Sequence, residues 1–105
     1  MLKRGLTYME YPFVSIVVGI RNEERFIEEC IESLLNLDYP RDSYEIIIVD
    51  GMSTDKTQDI VRRYPVKLLL NERKNVAAAR NLGVKNAMGE LIAFTDGDCK
   101  VDPQW

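Results

Sequence analysis

Two carboxylates stand two positions apart in Thr95-Asp96-Gly97-Asp98, directly after the apolar run Leu91-Ile92-Ala93-Phe94. Like charges this close repel each other unless a cation sits between them and a ligand. Magnesium and manganese prefer oxygen donors, and Mg²⁺ commonly takes one or two carboxylates together with substrate phosphates. Gly97 removes a side chain from the turn and lets a tight backbone aim both acids at one edge. Asp-Gly is also a common turn dipeptide, so a solvated turn is the plain alternative. The place of the pair at the end of an apolar strand favours the cation.

Other residues can also do chemistry. Asp50 ends the apolar run Tyr44 to Val49. Such a carboxylate either accepts hydrogen bonds from a base or sugar edge, or is satisfied by backbone amides of the following turn, and both readings stand. Arg80 follows Ala77, Ala78 and Ala79, small residues that let a helix approach a sheet closely. An arginine there needs an anionic partner, either a ligand phosphate or a strand-end aspartate. Ser53-Thr54-Asp55-Lys56-Thr57 reads first as a helix start, where each hydroxyl or carboxylate cap is worth about 1 kcal/mol. The stretch GIRNEER from Gly19 has one glycine where a dinucleotide fingerprint needs three, and no P-loop is present. Phosphates are therefore not cradled by a glycine loop.

The elements that must position these groups alternate in period. Phe13 to Ile20 is a β-branched apolar run of the kind that forms a buried parallel strand. Phe26, Ile27, Cys30, Ile31, Leu34 and Leu35 then recur at helical spacing, with Asn22 as N-cap and Glu23 and Glu24 at the positive end of the helix dipole. Asp38 to Asp42 breaks that helix. Tyr44 to Val49 is a second strand, followed by a helix to about Tyr64 capped by Ser53 or Thr54. Val66 to Leu70 is a third strand. Asn75 caps a helix to Met88 with Gly89 as its C′ residue, and Leu91 to Phe94 is the fourth strand. The order β-α-β-α-β-α-β with short connections predicts an open parallel sheet with helices on both faces. Ligands of such sheets bind outside the carboxyl ends of the strands, where Arg21, Asp50, Asn71 and Asp96 all fall.

Composition narrows the class. With 105 residues the chain is one domain at most, and 46% apolar against 30% charged residues describes an ordinary folded protein. A net charge of -3 without a basic block argues against a nucleic-acid partner. Cys30 and Cys99 form no CxxC pair and there is no histidine, so no zinc site is expected. Cys30 reads as a core residue, Cys99 as a packing residue beside the acidic pair, and a reducing compartment suits both. No run approaches the roughly 18 apolar residues of a membrane span, and residues 1–11, a lead-in, lack the h-region of a signal peptide. The expectation is a soluble, cytoplasmic piece.

With these residues assembled, the chain resembles the N-terminal, donor-binding half of the family 2 inverting glycosyltransferases. The matching stretches are VSIVVGIRNEERFIEECIESLLNLDYP, YEIIIVDGMSTDKT, NVAAARNLGVKNAMGELIAFTDGDC and the closing DPQW, in the family's order and spacing. Exopolysaccharide-type members look most alike, particularly in DGMSTD. The resemblance implies a GT-A fold over residues 12–105, here an open, mainly parallel, Rossmann-like α/β sheet of about four strands with helices on both faces, truncated at its C-terminal side.

It further implies that Gly19, Ile20 and Arg21, with Glu23 behind them, line a nucleotide pocket. Asp50 would lie near the nucleobase, Arg80 would reach toward the nucleotide, and Asp96 would contact the ribose side. Asp98, with Asp96, would hold Mn²⁺ or Mg²⁺ on the diphosphate of a UDP- or GDP-sugar. The acceptor would be a sugar or a lipid-linked sugar in polysaccharide or glycolipid synthesis. The general base is expected in a stretch following Trp105, so these residues alone should transfer little sugar, and their unfinished sheet edge can self-associate. Whether the parent protein is membrane-associated is left open. Two positions depart from the family pattern: Gly51 stands where many members carry a second carboxylate, and Asn75 where many have glycine. The first leaves open the choice between uridine and guanosine. Two rival readings are a sugar-phosphate nucleotidylyltransferase, whose glycine-rich, arginine-bearing loop is missing, and a non-catalytic nucleotide-binding or assembly module with structural aspartates.

Overall fold

The computed structural model describes residues 11–73, 75–98 and 100–105. The expected lead-in at residues 1–10 and the expected packing role of Cys99 lie outside them. Four strands, β1 (Val14–Ile20), β2 (Tyr44–Asp50), β3 (Lys67–Leu70) and β4 (Leu91–Asp96), alternate with helices α1 (Ile27–Leu35), α2 (Thr57–Val61) and α3 (Val76–Asn86). The sheet is parallel throughout, in the order β3-β2-β1-β4. The expected α/β architecture is therefore the observed one.

Burial on both faces explains the unbroken apolar runs. Ile16, Val18 and Ile20 of β1 and Ile46 and Ile48 of β2 pack with Ile27, Ile31 and Leu34 of α1 and Val61 of α2. Val17, Ile47 and Val49 point the other way, against Ala79 and Leu82 of α3. Burying an aliphatic side chain of this size contributes roughly 1.5–3 kcal/mol, and Ile27, Ile31 and Leu34 are fully buried. Cys30, at 1% exposure, is the core residue that its helical spacing predicts. Gly83 lets α3 settle onto β1, because a Cβ there would lie 2.4 Å from Val17 Cγ1.

The strand registers bring the chemistry to one row. Ile20 pairs with Asp50, Asp50 with Leu70, and Gly19 with Asp96. The chain leaves β1 toward β2 and β3 on one side and crosses back to β4 on the other. A crevice between β1 and β4 at the carboxyl ends is the place where such sheets bind ligands.

Three predicted caps have other duties. Asn22 does not cap α1, which begins at Ile27 with no side-chain cap. Its backbone is left-handed, at φ 53°, and its Oδ1 accepts from the N–H groups of Thr54 and Asp55 at 2.8 and 3.3 Å. Asparagine tolerates that backbone better than most residues. Neither Ser53 nor Thr54 caps α2, which starts later and stops at Val61. Gly89 is not a C′ residue either, since α3 ends in an extended Ala87. Its function is close approach, as described in the Discussion. The Asn75 cap is as expected, with its side chain accepting from Ala78 N–H at 2.7 Å.

At the opposite end of the sheet, Glu45 fastens the α3–β4 connection. Its carboxylate accepts from Ser15 Oγ at 2.6 Å and Met88 N–H at 2.8 Å, and Lys67 Nζ stands 3.5 Å away. Burial works against the charge, but those hydrogen bonds and the lysine outweigh it and hold the carboxyl below the ordinary glutamate value of 4.5. A carboxyl depressed by folding adds stability above its unfolded value, and that contribution is lost as pH falls through the folded one. Glu45→Gln should therefore cost about 1–2 kcal/mol at pH 7, a gap that closes as the solution is acidified below 4.5. Urea unfolding of both proteins across that range measures it, and a gap independent of pH would count against the network.

Candidate functional site

The loops after β1 and β2 are zipped together. Gly51 N–H donates to the Ile20 carbonyl at 2.8 Å, and Arg21 Nε donates to the Gly51 carbonyl at 3.0 Å. Asn22 N–H donates to Ser53 Oγ at 2.8 Å and Glu23 N–H to Thr57 Oγ1 at 2.9 Å. Thus the hydroxyls of the Ser53–Thr57 segment hold a neighbouring loop more than they cap their own helix. Met52 beside them has φ 63°, a left-handed backbone unusual for a non-glycine residue.

Over this platform lies a cleft of about 380 Å³ at the carboxyl ends of the strands, on the α3 face. Six of the residues singled out in the sequence line it: Gly19, Ile20, Arg21, Glu23, Arg80 and Asp96. Its floor includes Val17, Val49 and Ala79, and Asn71, Asn75 and Val76 close the β3 end. Such a volume with an apolar floor and a few polar groups is usual for a small-molecule site. Phe94 and Arg80 belong together, because the guanidinium lies 5.2 Å over the ring centre. That contact replaces the anionic partner expected for Arg80 within the chain.

Asp50 and Asp98 are placed differently. Asp50 is fully buried and does not line the cleft. Its Oδ2 accepts from Ser53 N–H at 2.8 Å and Gln58 Nε2 at 2.7 Å, and its Oδ1 accepts from Ser53 Oγ at 2.5 Å. The next residue, Gly51, faces the cleft in its stead. Asp98 is exposed in the turn after β4, beyond the cleft lining. Gly97 between the acids is needed for close approach, since a Cβ there would lie 2.4 Å from Ile20 Cγ2.

The acidic edge carries surplus negative charge. Partial burial, followed by the charges of Asp98, Asp55 and Asp96, pushes the Glu23 carboxyl above its ordinary value. Among the described residues no three acidic or cysteine side chains converge into a metal cage. The oxygen donors Asp96 and Asp98 instead suit a hard divalent ion that completes its shell with phosphate and water. Sequence reasoning missed Phe94 and Thr95 as lining residues. Asn71 carried a signal as a polar strand end, whereas Phe94 looked like any other apolar strand residue.

Architecture and cleft position together define a doubly wound α/β domain with its site at the topological switch point. The chain belongs to glycosyl transferase family 2, whose model matches residues 15–105. It is 35% identical over 100 residues to the glycosyltransferase AglE of Haloferax volcanii, covering 90% of this chain and 33% of AglE. Among solved structures, it superimposes with a TM-score of 0.75 on the mannosyltransferase PcManGT from Pyrobaculum calidifontis in complex with GDP-Man and Mn²⁺, at 39% identity over 83% of this chain and 28% of that one. TarS of S. aureus in complex with UDP gives a TM-score of 0.79 at 32% identity, over 88% of this chain and 29% of that one. The chain thus spans about a third of the length of the relatives it matches.

Proposed function

We propose that this chain is the nucleotide-sugar-binding part of a glycosyltransferase that transfers a sugar from a nucleoside-diphosphate donor to a sugar or lipid-linked acceptor in polysaccharide or glycolipid synthesis. The observation that carries this reading is the convergence on one cleft of the acidic strand end Asp96 with the guanidinium groups of Arg21 and Arg80, over a floor of Val17, Val49 and Ala79. The diphosphate would lie toward Asp96, and the base toward Gly51 and Asn71.

In this reading Arg80 contributes fixed positive charge to the anionic donor, and Phe94 holds its guanidinium in place. Val17, Val49 and Ala79 exclude water beneath the nucleoside. Asp98 with Asp96 would hold Mn²⁺ or Mg²⁺, which when bound supplies the positive charge that a departing nucleoside diphosphate requires. Asp50 acts at one remove: it shapes the loop whose Gly51 carbonyl anchors Arg21. PcManGT and TarS, bound to GDP-Man with Mn²⁺ and to UDP, support a donor of this class.

Calorimetric titration of the chain with UDP and GDP, with and without Mn²⁺, tests the proposal. Nucleotide binding should require the metal, and Asp98→Asn should weaken it by about 100-fold, as loss of a charged oxygen ligand to the ion would. Metal-independent binding untouched by Asp98→Asn would favour a nucleotide-binding module without transfer chemistry.

A further inference from the structure

The strand ladder places only one member of the acidic pair. β4 is an edge strand whose register with β1 ends at Gly19 opposite Asp96. Asp98 stands two residues further on, in an exposed turn. Helix α1 holds the chain on both sides of that turn. Ahead of it, Cys30 Sγ donates to the Asp96 carbonyl at 3.7 Å. After it, Val101 N–H donates to Ser33 Oγ at 3.1 Å. Cys30 and Ser33 are three residues apart, so they share one face of the helix. The Ser33 hydroxyl proton is committed to the Cys30 carbonyl at 2.7 Å, a back-bond that leaves the oxygen's lone pairs for the incoming amide. Val101 packs its side chain against the α1 side of the core. The chain then runs on to the end of α1, where Asp38 N–H donates to the Pro103 carbonyl at 2.8 Å.

Resting on the donor-site reading, we propose that Ser33 is a positioning residue for the metal ligand Asp98. It touches neither the ion nor the donor; it fixes the path of the chain that leaves the turn. A site built from two carboxylates works only when its oxygens are held within about 0.5 Å of their places, and Mg²⁺ in particular demands near-ideal octahedral geometry. Asp96 takes its place from the β1 ladder, and Gly97 from its seat against Ile20. The far side of the turn is tied down at Val101, three residues after Asp98, by the Ser33 hydroxyl. The ion pair of Lys100 with Glu29, at 3.8 Å and mostly exposed on both sides, adds little. Alanine is the better helix former at such a position, so it is the hydroxyl that gives serine its use here. Linkage is reciprocal: a tie that favours metal binding is itself strengthened by the ion, by the same factor.

Calorimetric titration of Mn²⁺ into the chain with UDP, and separately with GDP, gives the first measurement. Ser33→Ala should weaken the apparent Mn²⁺ affinity by about tenfold, the lower end for residues that support metal ligands from behind. Ser33→Thr, which keeps the hydroxyl, should restore it. The second measurement is amide hydrogen exchange in the wild type. Adding Mn²⁺ and nucleotide should slow exchange at Val101 by the same factor, while the Met88 amide, bonded to Glu45 at the opposite end of the sheet, keeps its rate. A purely structural tie would leave both readouts unmoved. Unchanged Mn²⁺ affinity in folded Ser33→Ala, or a Val101 amide indifferent to the ion, overturns the role of Ser33 and leaves the donor site standing. Wild-type nucleotide binding that is absent, or that needs no metal, overturns the donor-site reading and this inference with it. The exchange measurement needs no variant, so it decides the matter even where Ser33→Ala fails to fold.

Discussion

Gly89→Ala is expected to destabilise the chain by about 3 kcal/mol, the upper range for overpacking a site that cannot relax. The added Cβ would lie 2.6 Å from Ser15 N, 2.7 Å from Ser15 Oγ and 2.8 Å from the Phe13 carbonyl oxygen. Two of these are backbone atoms at the start of the central strand, so no flexible side chain can swing aside. Relief requires the α3–β4 connection to retreat. That movement breaks the bonds from Gly89 N–H to Ser15 Oγ and from Glu90 N–H to the Phe13 carbonyl, both 2.8 Å long. The same movement disturbs the entry of β4, which delivers Asp96. Urea denaturation should show a lower midpoint with an unchanged slope. A midpoint equal to that of the wild type would mean that the connection yields freely.

Asp50→Ala should cost about 3 kcal/mol by a different route. It removes the acceptor of three donors, Ser53 N–H, Ser53 Oγ–H and Gln58 Nε2, at a fully buried position. Donors stranded away from water cost about 1–3 kcal/mol each when unrelieved. Ser53 Oγ also receives Asn22 N–H, so the loss spreads to the β1 loop and to Arg21. Asp50→Asn keeps one carbonyl oxygen and should be milder. Nucleotide affinity should fall in step with stability, measured by denaturation and titration on the same samples. Loss of affinity at full stability would show instead that Asp50 touches the ligand itself.

Much of this was legible in the sequence, and the exceptions share a cause. Periodicity located all four strands to within a residue or two, because strands buried on both faces must be continuously apolar. It located α1 through Ile27, Cys30, Ile31 and Leu34 for the matching reason, that only one stripe of that helix is buried. The caps were less legible. Asn22, Ser53 and Thr57 are polar residues near helix starts, and local rules assign each to its own helix. Their partners lie about 30 residues away, across two loops that the β1–β2 pairing brings side by side. Gly89 likewise looks like a helix terminator until the position of β1 is known.

The amino-acid order alone determined the alternation of strand and helix, the parallel sheet and the gathering of polar residues at its carboxyl edge, since period and connection length are local properties. Which of those polar residues faces a ligand was decided only in three dimensions. Asp50 and Gly51 are neighbours in sequence, yet one is sealed in the interior and the other opens onto the cleft. Arg80 finds its partner in Phe94, a strand residue on another element. Successive residues at a strand end point to opposite sides, so a shift of one position exchanges a structural carboxylate for a binding surface.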